Sequence, residues 1–204
     1  MIAVASADQP VGPMSIARVA AKVLLAALFV AYPVVVWLGL RSESPRLVAA
    51  VLLCVLAPIA AVRLRRSNRA ALRGVAFVPV VTVVVLLLTA LLNAAELLLA
   101  VPVAINAVFL LLFATSLRRG SMPMIERFAR LQEEHLSPAQ QAWCRLWTRI
   151  WSVFFVANGG TALALALWAP LDWWATYNGL VAYVLMGVLF AVEWTVRRRR
   201  FSRG

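Results

Sequence analysis

The sequence predicts an all-α fold, a polytopic transmembrane helix bundle, and three observations support that prediction. First, 64% of the 204 residues are apolar and only 14% are charged, whereas about a quarter of the residues in globular domains are charged. Second, apolar runs of the length that crosses a bilayer recur along nearly the whole chain. Third, arginine clusters separate these runs, as is typical of loops between membrane spans.

Six spans are predicted within a single membrane domain, 17–200, which lies between a disordered N-terminal tail, 1–16, and a C-terminal tail, 201–204. Met14 in the N-terminal tail is an alternative start to Met1. The stretch from Gly74 to Leu117 contains no Lys or Arg and is about twice as long as one span requires. Its polar break at 93–96 therefore predicts a tight hairpin between two spans. The predicted spans are 19–40, 47–62, 75–92, 97–117, 147–169 and 174–196.

The second predicted span is short. At 1.5 Å per residue, 47–62 rises about 24 Å, less than the hydrocarbon core of about 30 Å. We expect the flanking Arg46 and Arg63 side chains to snorkel towards the headgroups and to make up the difference.

A short amphipathic helix, 122–134, is predicted to lie on the cytoplasmic surface of the membrane. Its apolar residues follow a helical period, while Glu126 and the arginines fall elsewhere around the helix. We expect the apolar face to contact the bilayer or a partner protein and the basic face to contact acidic groups. The residues predicted to make these contacts are Ile125, Arg127, Phe128 and Arg130.

The residues Ser137, Pro138 and Gln140 predict a helix start, because they supply an N-cap, a proline in the first helical position and the partner of a capping box. This helix is expected to continue without a break into span 147–169. Tryptophans recur every four residues along one side of its first turns. These further predicted interfacial or partner contacts are Trp143, Trp147 and Trp151. All eight tryptophans of the chain fall near predicted span boundaries, as in an aromatic belt.

The distribution of charge predicts the orientation. With six spans, all 20 basic residues except Arg41 and Arg46 lie on one side of the membrane. The positive-inside rule places that side, with both termini, in the cytoplasm of a bacterium whose inner membrane holds the protein. The net charge of +12 then indicates attraction to anionic lipid at the cytoplasmic face rather than binding to nucleic acid.

Four polar residues at predicted membrane depth are candidates for interhelical or pocket contacts: Asn106, Asn158, Asn178 and Glu193. The asparagines either form hydrogen bonds between helices, each worth about 0.6 kcal/mol, or line a polar pocket for a substrate or lipid. Glu193 is either a proton-coupling carboxylate or, within one turn of Arg197, the partner in an ion pair.

The sequence predicts neither an enzyme nor a cofactor nor a metal site. His135 is the only histidine, and the two cysteines, Cys54 and Cys144, do not complete a set of metal ligands with it. A phosphate-binding Gly-rich loop, a Gly-x-Ser-x-Gly elbow and paired intramembrane carboxylates are absent from the sequence.

A pattern in the second half of the chain consists of Met122–Leu131, Leu136-Ser-Pro, Trp143, Leu146, Trp151–Phe155, Asn158-Gly159, Leu167–Pro170 and Tyr177–Leu180. Over about residues 30–200, and most strongly over 121–199, the chain resembles a family of uncharacterised bacterial inner-membrane proteins found with fatty-acid-like and aryl-polyene (xanthomonadin-type) biosynthesis genes. It is more distantly similar to the intracellular septation protein A family, which shares the Pro-x-Ile-x-Arg element, the Trp-rich helix start and an Arg-rich loop after the second span. The Asn178-Gly179 pair and the chain ending after Glu193 differ from that second family. The resemblance implies an inner-membrane role in envelope biogenesis, beside enzymes that build a polyene lipid.

These observations favour a non-enzymatic scaffold or accessory component of envelope or lipid/polyene biogenesis, with protein partners in that synthesis. The alternative is a small transporter or carrier of a lipid-like substrate, with the asparagines as its pocket. A membrane-embedded enzyme acting on an acyl chain is a third possibility, although the cluster of His or Asp residues that would mark it is absent from the sequence. The oligomeric state does not follow from the sequence.

Overall fold

The computed structural model describes residues 32–41, 45–66, 77–94, 96–133 and 135–201, and its regular secondary structure within these ranges is entirely helical. The predicted all-α class is therefore confirmed for this part of the chain. The chain divides into two compact units, Met1–Tyr32 and Pro33–Gly204. The contacts described below all lie within the second unit. The predicted tail 1–16 and most of the first predicted span, 19–40, lie outside the described residues.

The helices follow one another with short connections. They are α1 (32–41), α2 (Pro45–Arg66), α3 (Phe77–Leu92), α4 (Glu96–Leu99), α5 (Val101–Ser116), α6 (Met124–Ala129), α7 (Pro138–Trp168), α8 (Leu171–Thr176), a π-helical turn (Tyr177–Val181) and α9 (Ala182–Phe201).

Three helical stretches are long and apolar enough to cross a membrane: Glu96–Ser116, Pro138–Trp168 and Leu171–Phe201. Two shorter apolar stretches, Arg46–Pro58 and Val78–Leu92, lie in α2 and α3. The described residues thus form a helical bundle suited to a membrane, while the count of six spans stays a prediction. At 31 residues, α7 rises about 46 Å and so extends beyond a hydrocarbon core of about 30 Å.

The prediction of a short second helix was wrong. The apolar run ends at Val62, but α2 continues to Arg66 and contains 22 residues, which rise about 33 Å. Leu and Arg are good helix formers, so the change from apolar to charged composition does not end the helix.

The predicted hairpin at 93–96 and the predicted helix start at Ser137 are both confirmed. Asn93 has a φ of 53°, a left-handed conformation that asparagine tolerates, and it separates α3 from α4. Ser137 accepts a hydrogen bond from the Gln140 amide, and the Gln140 side chain accepts one from the Ser137 amide. From this capping box α7 runs without a break to Trp168.

The α2–α3 and α5–α7 pairs are the main packing units, and α3 also packs against α5. The end of α5, the start of α7 and the end of α9 lie together. Arg145 donates a hydrogen bond to the Leu117 carbonyl at 3.2 Å, and the Trp143 and Phe201 rings lie 6.0 Å apart between centroids. We call this region, residues 117–145 and 193–201, the basic end.

The opposite end of the bundle joins the remaining helix termini. Trp174 Nε1 donates to the Leu99 carbonyl at 3.3 Å, and Arg46 Nε donates to the Ala90 carbonyl at 2.9 Å. Asp172 accepts from Arg41 at 3.1 Å and also from Trp37. In the described chain, the arginines at this end therefore each bond to the protein itself.

Candidate functional site

A buried hydrogen bond joins α5 and α7 at the middle of the bundle. Asn158 Nδ2 donates to Asn106 Oδ1 at 3.0 Å, and both side chains are buried. Asn106 Nδ2 donates in turn to the Pro102 carbonyl at 2.8 Å. Asn158 Oδ1 accepts from the Tyr177 hydroxyl at 3.0 Å. The amides thus bond to one another and to the protein rather than lining an open space.

A glycine allows this close approach. A Cβ placed on Gly159 would lie 2.9 Å from Asn106 Cβ, too close for two carbon atoms, whereas a Cβ on Gly160 would meet nothing within 4 Å. Small residues let membrane helices approach closely enough for polar side chains to bond across the interface. Gly159 therefore sets the distance at which the two asparagines meet.

Asn178 does not join this contact. It is buried, but its Nδ2 donates to the Trp174 carbonyl of its own helix at 2.9 Å. Of the three predicted asparagines the structure brings two together, and the third group at the contact is Tyr177, which the sequence analysis missed. Tyr177 begins the π-helical turn, and such turns are frequent at functional sites.

Glu193 lies at the basic end and forms the predicted ion pair. Its Oε1 is 3.2 Å from Arg197 Nε, and it also accepts from Trp143 Nε1 at 3.3 Å. The carboxylate thereby connects α9 to the first turns of α7.

The α6 helix is much shorter than the predicted 122–134, because helical structure covers only Met124–Ala129 and is followed by turns. Six residues cannot hold a helix by themselves in water, and side chains of neighbouring helices stabilise it instead. Ser116 Oγ accepts from the Met124 amide at 2.9 Å, and Thr148 Oγ1 accepts from the Ile125 amide at 3.2 Å. These two hydroxyl groups act as caps supplied from α5 and α7, and the sequence analysis missed both.

The charged residues of α6 bond within their own segment. Arg130 forms an ion pair with the buried Glu126 at 2.9 Å, and Arg127 Nε donates to the Met122 carbonyl at 3.1 Å. The two arginines predicted to meet acidic groups are thus already engaged. Arg118 and Arg119, in the turn between α5 and α6, are exposed.

The apolar residues predicted as interfacial contacts pack on the bundle. Ile125 and Phe128 are partly buried against a cluster whose buried members are Phe113, Met124, Trp143, Trp147, Trp151 and Phe155. The tryptophan row of α7 is thus part of the protein core. Trp168, Trp173 and Trp194, in contrast, are exposed, as an aromatic belt requires.

A shallow groove opens between α6 and the start of α7. Its lining residues are Gly120–Pro123, Glu126, Pro138, Gln141, Ala142 and Arg145. In the residues that the structure describes, no group of three or more His, Cys, Asp or Glu side chains is placed to hold a metal ion. The groove therefore offers backbone groups, amides and arginine to a ligand, which suits a polar or acidic peptide segment better than a reaction centre.

No family model, curated protein sequence or solved structure matches this chain.

Proposed function

We propose that the protein is a non-enzymatic inner-membrane scaffold that holds an acidic segment of an envelope or lipid-biosynthetic protein at the cytoplasmic face. The observation that carries this proposal is the fixed position of α6 at the basic end. Backbone amides of its first turn bond to hydroxyl groups on two different helices, so the segment is held as a rigid surface. Rigid surfaces bind with a smaller loss of conformational entropy than mobile loops do.

The charges of the segment suggest where the partner binds. Because Arg127 and Arg130 bond within the segment, we assign the acidic contact to the exposed Arg118 and Arg119 beside the groove. Arg145 lines the same groove. Its bond to the Leu117 carbonyl holds the turn that carries the two exposed arginines.

The transporter alternative needs the asparagines to line an open polar pocket. Asn106 and Asn158 bond directly to each other, so this contact supports helix packing instead. The role in envelope or polyene-lipid biogenesis rests on the family resemblance of the second half of the chain.

The test is site-specific cross-linking in cells. A photoreactive residue at Met122, which is 41% exposed at the groove, is expected to capture a defined partner. The double reversal Arg118→Glu/Arg119→Glu should abolish that adduct. The matched control, Arg149→Glu/Arg199→Glu, changes the net charge equally at exposed positions outside the groove and should preserve it.

Capture that survives the Arg118/Arg119 reversal, or that is lost equally in the control, contradicts the proposal. Deletion of the gene, followed by lipid and pigment profiling and by scoring of septation in the same cells, tests the biological role separately. Unchanged lipid, pigment and septation would remove the envelope assignment.

A further inference from the structure

The α9 helix is loosely attached to the bundle. Only 6% of its most apolar stretch is buried, compared with 28% in α7. Long side chains bridge the two helices: the Trp151 and Phe190 rings lie 4.6 Å apart between centroids, and Trp143 reaches Glu193 and Phe201. An interface made of side-chain tips can open without disrupting either backbone.

A buried donor without an acceptor lies at this interface. Trp147 is only 4% exposed, and its Nε1 is the one buried side-chain nitrogen or oxygen in the described residues that lacks a hydrogen-bond partner. By contrast, Trp143 Nε1 and Trp174 Nε1 each find an acceptor. Buried indole N–H groups are normally paired, so an unpaired one indicates an acceptor that arrives from outside the chain.

The polarity of the interface changes along α7. Successive tryptophans, four residues apart, rise about 6 Å along the helix. At the outer level the Arg200 guanidinium lies 5.6 Å from the centre of the Trp143 ring, and Glu193 is neutralised by Arg197. The unpaired Trp147 donor is one turn deeper, and the aromatic pair of Trp151 and Phe190 is deeper still. A positive charge, a hydrogen-bond donor and an apolar surface thus follow in order.

We propose that an anionic phospholipid binds between α7 and α9. Its phosphate contacts Arg200, an acyl ester carbonyl accepts the hydrogen bond of Trp147 Nε1, and its chain lies along Trp151 and Phe190. The π-helical turn Tyr177–Val181 at the start of α9 is the place where α9 bends to admit the lipid, since π-turns are common sites of helix distortion. This site is independent of the partner surface at α6 and does not rest on the proposed scaffold function.

The test compares two lipids and one ion on the full chain in lipid-free mild detergent. Phosphatidylglycerol, phosphatidylcholine with the same chains, and inorganic phosphate are added separately, and binding is measured by native mass spectrometry and by the thermal midpoint. We expect phosphatidylglycerol to bind most tightly and to raise the midpoint most. Equal effects of the two lipids, or equal stabilisation by phosphate alone, would overturn the proposal.

The decisive variant replaces Trp147 by benzothienylalanine, which keeps the bicyclic shape and lacks the N–H. We expect about a fivefold weaker affinity for phosphatidylglycerol, the value for one hydrogen bond, and an unchanged midpoint without lipid. The same replacement at Trp168, which is 80% exposed at the other end of α7, is the matched control and should change neither quantity. Arg200→Gln should reduce the preference for phosphatidylglycerol over phosphatidylcholine. Unchanged affinity in the Trp147 variant, or an equal loss of stability with and without lipid, would refute the site.

Discussion

Replacing Gly159 by alanine should destabilise the bundle, whereas the same change at the adjacent Gly160 should not. The new Cβ at position 159 would lie 2.9 Å from Asn106 Cβ, and at position 160 it would meet nothing within 4 Å. Both variants share the helix-propensity gain of Gly→Ala, which is at most about 1 kcal/mol. Their difference in the free energy of unfolding therefore isolates the collision, which costs about 1–3 kcal/mol as for other overpacked sites.

The assay is reversible unfolding in mixed micelles by SDS titration, followed by circular dichroism. Gly159→Ala should be about 1–3 kcal/mol less stable than Gly160→Ala. The additional change Asn106→Gly removes the carbon atom that the alanine would strike, so in that background the cost of Gly159→Ala should largely disappear. Equal stability of the two alanine variants would show that the packing of α5 on α7 is not limited by this glycine.

Three further substitutions test single contacts. Thr148→Val leaves the Ile125 amide of α6 without its acceptor, which should cost about 1–3 kcal/mol and raise hydrogen exchange in α6; the control Thr161→Val, at an exposed hydroxyl that bonds only to its own helix, should leave exchange unchanged. Tyr177→Phe removes one hydrogen bond to Asn158 and should lower stability by about 0.6 kcal/mol in the same SDS titration, and a loss several times larger would mean that the hydroxyl does more than bridge helices. Gly39→Ala places a Cβ against a valine of α2 and should cost about 1–3 kcal/mol, so a neutral result would disprove the close approach of α1 and α2.

The parts of the fold that the sequence predicts correctly depend on local signals. The Ser137 capping box and the hairpin at Asn93 each involve residues within a few positions of one another. The ion pair of Glu193 with Arg197 is likewise an i,i+4 contact on one helix. Such interactions follow from helix geometry alone, so composition and spacing are sufficient to find them.

The contacts that the sequence does not predict connect distant positions. Asn106 and Asn158 are 52 residues apart, and their meeting depends on how α5 and α7 are rotated about their axes. The length of α6 depends on hydroxyl groups at Ser116 and Thr148, which lie outside the segment. Helical periodicity identifies an apolar face there, but it cannot tell whether the bilayer or the protein covers that face, and the structure places Ile125 against the protein.

The capping of α6 from two helices has a consequence for biosynthesis. Chains are made from the N-terminus, so Ser116 and α6 leave the ribosome before Thr148 does. The second acceptor for the first turn of α6 is therefore missing until α7 has been made, and the 117–133 segment reaches its final form only after α7 has inserted. A partner that recognises this surface would therefore bind finished molecules and pass over nascent ones, which makes the surface a marker of completed assembly.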